Sequence, residues 1–482
     1  MKILNLNTGK LLIIAVIIIF SAIFCQNLIS QFYWQRIYNG PYNQQDICVD
    51  MCLADNNNFY AVGYSKKPTT QGYFIYVLKL NQLGDTIWTR IIDSVSNEST
   101  ACASSGDGGV VVVGEGHFAL KLDSSGNIAW KRFYNRGGIW CYDIIKTSDN
   151  GFLACGDQLV VSGTDFRYDS YVMKLDNNGS ILWDTAYLAD FDKPFKSVLE
   201  VGGEGYIYTG SVMSSISDSI KCLIMKTGYS GDIFWEKSLK IFNRVAGGTK
   251  IEKLSNGFII CGGTPDTVLT IGRTFILKID SLGNNISTHY LNSNIREILT
   301  DFKIINNNRY AMATYNDIAK SILCDSIGNI IIQKSFHTQY YTYLFSILPF
   351  NNGDILWGGG ARFTVEDADV WLIRSDSLLN FPPIGIQPNT NYLPVEYELF
   401  QNYPNPFNPQ TKIKFQLYKR AKVKLTVYNI AGETIDVLIE SELNAGVHET
   451  GFYGDNLPSG VYFYQLNING KNIESRKMVL IK

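Results

Sequence analysis

Short apolar runs alternate with tight polar turns along most of this chain. The runs are about four to eight residues long and are bounded by Gly, Asn and Asp, which reads as strands rather than helices. One such unit opens with an apolar strand, as at 141–146 or 248–254. A polar turn follows, Asp149-Asn150-Gly151, Asn256-Gly257 or Asn352-Gly353. Asn-Gly between apolar runs is a strong hairpin signal because both central residues take positive φ. A second strand comes next (110–114, 152–156, 206–210, 258–262, 354–358), then a connection of variable length, then a third strand (76–80, 118–122, 171–175, 275–279). An Asp-x-x-Gly turn reverses the chain into a fourth strand that carries a tryptophan. Four antiparallel strands per unit is the blade of a β-propeller.

The turn-and-tryptophan phrase recurs. It reads Asp123-Ser124-Ser125-Gly126-Asn127-Ile128-Ala129-Trp130 in full, and its glycines stand at Gly84, Gly126, Gly179, Gly231, Gly283 and Gly328. Their spacings of 42, 53, 52, 52 and 45 residues, taken by subtraction, are those of a propeller repeat. Counting gives seven units. The last stops at Leu378-Leu379-Asn380-Phe381-Pro382-Pro383 without a fourth strand, whereas 32–38 has the form of a fourth strand without the other three. The expectation is an all-β protein: a seven-bladed β-propeller over 31–380, closed by the N-terminal strand so that no edge is left exposed. Trp34, Trp88, Trp130, Trp183 and Trp235 are expected to wedge between adjacent sheets, each able to bury about 150–250 Å². Ser287 and Ile332 fill the matching slots in units five and six, where packing should be looser.

Connectivity divides the loops. First-to-second and third-to-fourth turns share one rim and are short. Second-to-third and unit-to-unit connections share the other rim and vary widely, as 114–117 against 158–169, 211–219 and 264–273. Variable loops on a rigid frame are where recognition concentrates, so a glycan or protein ligand is expected on that rim.

Composition narrows the function. Charged residues are 18% and aromatics 13%, a globular and not a disordered balance. A net charge of −2 provides no basic field, and Lys412, Lys414, Lys419, Arg420, Lys422 and Lys424 have no stacking motif beside them, so nucleic acid is not an expected partner. At the N-terminus Lys2 and Lys10 form a positive start before a short apolar run, 11–24, that fits a signal peptide over 1–30 better than a membrane span. Phe24 before Cys25 argues against lipidation. Nine cysteines show no zinc spacing. Cys155 and Cys261 share a repeat slot and read as core thiols. Cys48 and Cys52 read as sharing a strand face about 13 Å apart, too far to bridge each other. One bridge elsewhere stays open in an exported chain. His117, His289, His337 and His448 have no metal-ligand spacing, and no nucleophile elbow or phosphate loop is present. The turn phrase is similar to those of sialidases and quinoprotein propellers, but its offsets differ from both. The expectation is a monomeric binding or adhesion module without catalytic residues, cofactor or metal; the alternative is a secreted carbohydrate-active or other hydrolytic or lyase enzyme with its site in the propeller channel.

A Pro-rich linker, 381–396, leads to about ninety residues of short strands that read as a small β-sandwich. Those strands are placed at 411–417, 422–428, 434–439, 446–452, 460–468 and 477–481. Here Leu399-Phe400-Gln401-Asn402-Tyr403-Pro404-Asn405-Pro406-Phe407-Asn408-Pro409 is followed by Val427-Tyr428-Asn429-Ile430-Ala431-Gly432-Glu433, Leu457-Pro458-Ser459-Gly460-Val461-Tyr462 and Lys477-Met478-Val479-Leu480. Over 397–482 these motifs resemble the type A C-terminal sorting domain of the type IX secretion system. The resemblance implies an immunoglobulin-like fold, export through signal peptidase and an outer-membrane translocon, and release or attachment at the surface of a Gram-negative bacterium. It assigns recognition to the turn Pro458, Ser459, Gly460 and to the terminal basic strand with Lys477 and Lys482.

Overall fold

The structure is a computed structural model. It describes residues 33–481 except 41–43, 56, 68–71, 93–97, 117, 135–137, 164, 214–219, 242–245, 264–272, 292–297, 307, 317, 337–340, 363–367, 382–396, 403, 418–420 and 444–445. The proposed signal peptide, nearly all of the linker, His117, His337 and Lys482 therefore lie outside the described residues. The chain divides into two compact units, Met1–Ile386 and Gln387–Lys482. Every regular element described is a strand.

In the first unit the strands pair into four-stranded antiparallel sheets in chain order: 46–92, 99–133, 139–187, 195–239, 247–290 and 298–336, here sheets 1 to 6. Sheet 7 takes three strands from 342–375, and its fourth is Trp34–Tyr38, which runs antiparallel to Ala368–Ser375. This repetition of four-stranded sheets is that of a β-propeller. Most second and third strands are buried along almost their whole length, as Val110–Gly114 and Phe118–Leu122 are, which is why they read as continuous apolar runs. Fourth strands such as Ile128–Phe133 are mostly exposed. Seven apolar clusters each join two consecutive sheets, and one of them joins sheet 7 (Trp34, Leu356, Leu372) to sheet 1 (Cys48, Phe59, Leu78).

Two local features escaped the sequence reading. Each first strand carries a one-residue bulge, at Val49, Thr100, Tyr142, Lys196, Thr249, Thr300 and Phe345. A bulge reverses the alternation of faces. Cys48 and Cys52 consequently do not share a face: Cys48 packs with Met51 between sheets 7 and 1, and Cys52 packs between sheets 1 and 2. Second, sheet 7 does carry the reversing turn. The Asp376 carboxylate accepts the Leu378 and Asn380 amides (both 2.8 Å), and buried Leu379 takes the glycine position at φ 57°.

The second unit packs a four-stranded and a three-stranded antiparallel sheet around one core that includes Phe415, Val423, Leu425, Tyr464 and Met478. Its last strand is Lys471–Leu480, longer than the sequence suggested. Asn469 and Gly470, both at positive φ, form a tight hairpin with the preceding strand, so pairing starts six residues earlier.

Candidate functional site

Three repeated devices hold neighbouring sheets together. The first is the tryptophan. The glycine of each reversing turn has φ between 75° and 89°, and a Cβ on it would strike the indole of the preceding sheet: Trp34 over Gly84, Trp88 over Gly126, Trp130 over Gly179, Trp183 over Gly231, Trp235 over Gly283. The indole Nε1 of Trp34, Trp88 and Trp130 donates to the carbonyl two residues before that glycine, at Gln82 (3.0 Å), Ser124 (3.0 Å) and Asn177 (2.9 Å). Where the indole is missing the partner changes. Ile332 of sheet 6 and the bulkier turn residue Leu379 of sheet 7 lie in one cluster. Gly328 instead has the Tyr290 carbonyl and Ile276 as its nearest neighbours, so Ser287 contributes no ring there.

The second device is a buried base opposite each tryptophan. Lys79, Lys121, Lys174, Lys226 and Arg374 pair in register with Trp88, Trp130, Trp183, Trp235 and Trp34. Each bridges an acid in the first hairpin of its own sheet: Asp55 (3.0 Å), Asp107 (2.7 Å), Asp149 (2.8 Å), Glu204, and Asp354 (2.7 Å). Burial resists ionisation of Asp107 and Asp149, yet hydrogen bonds from Lys121 and Lys174 bring both down to about 2. Lys79 and Arg374 also reach the next sheet, donating to the Ser124 and Gln82 carbonyls already held by tryptophan. The base alone recurs in the sequence, two residues before the turn at Lys79, Lys121, Lys174, Lys226, Lys278 and Arg374, and nothing there names the acid it meets.

The third device follows the first-strand bulges. Asp50 accepts the Cys102 amide of sheet 2 (2.8 Å), Asp143 the Val198 amide of sheet 4 (3.0 Å), Asp301 the Ile347 amide of sheet 7 (2.7 Å), and the Ser346 hydroxyl the Met51 amide of sheet 1 (3.1 Å). Burial tends to lower Lys250, but Asp143, Asp301 and Asp50 raise it overall, so this polar belt retains its cation. Lys303 ion-pairs with Glu252 at 2.8 Å.

Chemistry that these devices do not use collects where strands meet the variable connections. Three aromatic pairs, all half-buried, stand there: Tyr64 with Tyr73 (4.8 Å between centroids), Trp140 with Tyr168 (5.4 Å), and Tyr343 with Phe345 (5.8 Å). Carboxylates accompany them. Burial, then Glu115, raises Glu98, which lies beside Tyr73. Burial raises Asp157 to about 6 against the opposing pull of Lys196 and Tyr142, and Asp157 Oδ1 has no hydrogen-bond partner. Burial lowers Lys196, whose Nζ sits 3.2 Å from the Tyr142 ring centroid. A separate cleft of about 350 Å³ on the short-turn side is lined by Trp183, Tyr206, Tyr229, Glu200 and Lys174, but Glu200 is engaged by Ser148 and Lys174 by Asp149. Among the described residues no group of three or more His, Cys, Asp or Glu is placed to hold a metal.

In the C-terminal unit the opening motif anchors the final strand. Buried Asn402 donates to Thr411 Oγ1 (2.9 Å) and to the Pro404 carbonyl (3.0 Å), and its amide donates to Tyr464 Oη (2.7 Å). Asn405 Oδ1 accepts the Val479 amide (2.8 Å), and Phe407 pairs with Leu480. Pro458 and Ser459 are exposed, the Tyr462 hydroxyl fastens the Pro458 carbonyl (2.8 Å), and Lys477 is exposed on the last strand.

No curated protein matches the chain. Similar solved structures include the WD40 repeats of RRP9 (9% identity, TM-score 0.47, covering 70% of this chain and 96% of that one). Others are YCF48 from Cyanidioschyzon merolae (12%, 0.46, 70% and 98%) and BamB from Moraxella catarrhalis (10%, 0.39, 64% and 95%). Residues 401–482 match the family model of the secretion system C-terminal sorting domain. The chain thus ends in the sorting tail of a type IX secretion cargo, which implies delivery to the cell surface or the extracellular space.

Proposed function

We propose that this protein is a monomeric, non-enzymatic binding or adhesion module, exported by the type IX route and presented at the surface of a Gram-negative bacterium or released from it. In this reading residues 1–30 are a signal peptide removed in the periplasm, and the outer-membrane translocon reads an immunoglobulin-like sorting domain. The passenger is a closed, seven-bladed propeller. Support for closure comes from Trp34–Tyr38 completing sheet 7, from Trp34 and Arg374 both donating to Gln82 of sheet 1, and from the Ser346–Met51 hydrogen bond.

The observation that carries the binding role is the set of aromatic pairs beside the variable connections. Half-buried rings with carboxylates nearby suit ligands that combine apolar faces with hydroxyls, which is the chemistry of glycans. Full-length protein recovered from the surface or medium should bind a glycan array, and Trp140→Ala or Tyr343→Ala should weaken that binding at least tenfold with the melting curve little changed. Binding that survives both substitutions would refute the assignment to this rim.

One observation favours the enzymatic alternative. A carboxyl near pH 6 beside a lysine whose pKa is lowered is the pattern of an acid–base pair. Turnover of a polysaccharide that is lost in Asp157→Asn would support it.

A further inference from the structure

The first strands of sheets 1 and 2 run side by side, tied where the Cys102 amide donates to Asp50 (2.8 Å). The bulge at Val49 turns Cys52 toward sheet 2, and it packs against the cluster that holds Cys102. The two thiols belong to one cluster, and burial, followed by the influence of Cys52, raises Cys102 well above the usual thiol range. Cys102 is 6% exposed, whereas Cys52 is only partly buried and offers an oxidant its point of attack.

We propose that Cys52 and Cys102 form a disulfide in the exported protein, stapling sheet 1 to sheet 2. The sorting tail routes the chain into oxidising compartments, where such bonds persist. The reaction is thiol–disulfide exchange with a disulfide-bearing oxidant. Cys52 thiolate attacks one sulfur of that disulfide, giving a mixed disulfide and one thiol. Cys102, after losing its proton, displaces the second sulfur. The protein loses two hydrogens and the oxidant leaves as two thiols. Because the buried Cys102 ionises poorly once packed, closure belongs to the stage at which the two sheets come together. Other pairings are less suited. Cys48 faces sheet 7, and Cys261 and Cys324 share a cluster but are fully buried.

The test uses wild-type protein from the culture medium or cell surface, alkylated under denaturing, non-reducing conditions and mapped by mass spectrometry. The expected result is a linked peptide pair containing Cys52 and Cys102, lighter by two hydrogens, with the remaining cysteines alkylated. Free alkylation of both, or linkage of either to a different cysteine, overturns the proposal. Melting with and without dithiothreitol gives a second readout: wild type should lose several degrees on reduction, and Cys52→Ser should not respond. If Cys52→Ser fails to accumulate, the wild-type map still decides.

Discussion

Replacing Trp34 by alanine tests the packing between sheets 7 and 1 most directly. The indole is 7% exposed, lies over Gly84, stacks on Phe59 at 6.3 Å, and donates to Gln82 O. Removing about 200 Å² of buried surface at about 25 cal/mol/Å² costs roughly 5 kcal/mol gross, within the usual range of about 3–5 kcal/mol for a core Trp→Ala change. The hydrogen bond adds about 1 kcal/mol, but Arg374 Nη1 still satisfies Gln82 O at 2.6 Å, so no buried acceptor is orphaned. Partial collapse of the cavity offsets some of this. The expected loss is about 4 kcal/mol, read from urea unfolding followed by circular dichroism at unchanged m-value. Trp140→Ala, at a half-buried rim position, serves as the reference and should change stability little. A loss below about 1 kcal/mol, or one equal to that of Trp140→Ala, would refute the inter-sheet role assigned to the repeated tryptophans.

Gly179→Ala should cost about 1–3 kcal/mol, because φ is 75° and the new Cβ would lie 2.7 Å from Trp130. In thermodynamic combination with Trp130→Ala the two losses should add to less than their sum. Asp107→Asn should destabilise at neutral pH by about 1 kcal/mol, since the carboxylate is mostly exposed and screened. The folded pKa of Asp107 is depressed, so its contribution is present above about pH 4 and disappears as pH falls through about 2. Wild-type and variant melting curves should therefore converge in acid and separate at pH 7. Asn402→Ala should reduce the amount of protein at the surface or in the medium, measured by fractionation and immunoblot, because the segment that fastens the last strand loses three side-chain hydrogen bonds.

Much of the fold was legible because its signals are local. An Asp and a Gly three residues later close a turn by themselves, as Asp123 does through the Ser125 and Asn127 amides, so the pattern survives without knowledge of the rest. Where Leu379 replaces glycine the signal vanished although the geometry remained. The base–acid bridges were hidden for a different reason. Lys174 and Asp149 are far apart in sequence and meet only after three strands have paired, and pairing register is not visible in one sequence. Bulges such as Val49 insert a residue without any characteristic composition, so strict alternation puts Cys48 and Cys52 on one face when they lie on opposite ones. The rim cluster was illegible for the same reason: Tyr142, Asp157 and Lys196 come from three strands in two sheets and are chemically ordinary until burial acts on them.

The pairing of Trp34–Tyr38 with Ala368–Ser375 joins segments more than three hundred residues apart. Synthesis makes one partner before sheet 1 and the other in sheet 7, so the two can meet only when almost the whole passenger has emerged. Until that moment Ala368–Ser375 keeps an open hydrogen-bonding edge and Trp34–Tyr38 has no sheet to join. The long wait ties the fate of the young chain to whatever guards it in transit, and it makes Trp34–Tyr38 the piece that its last sheet must hold a place for.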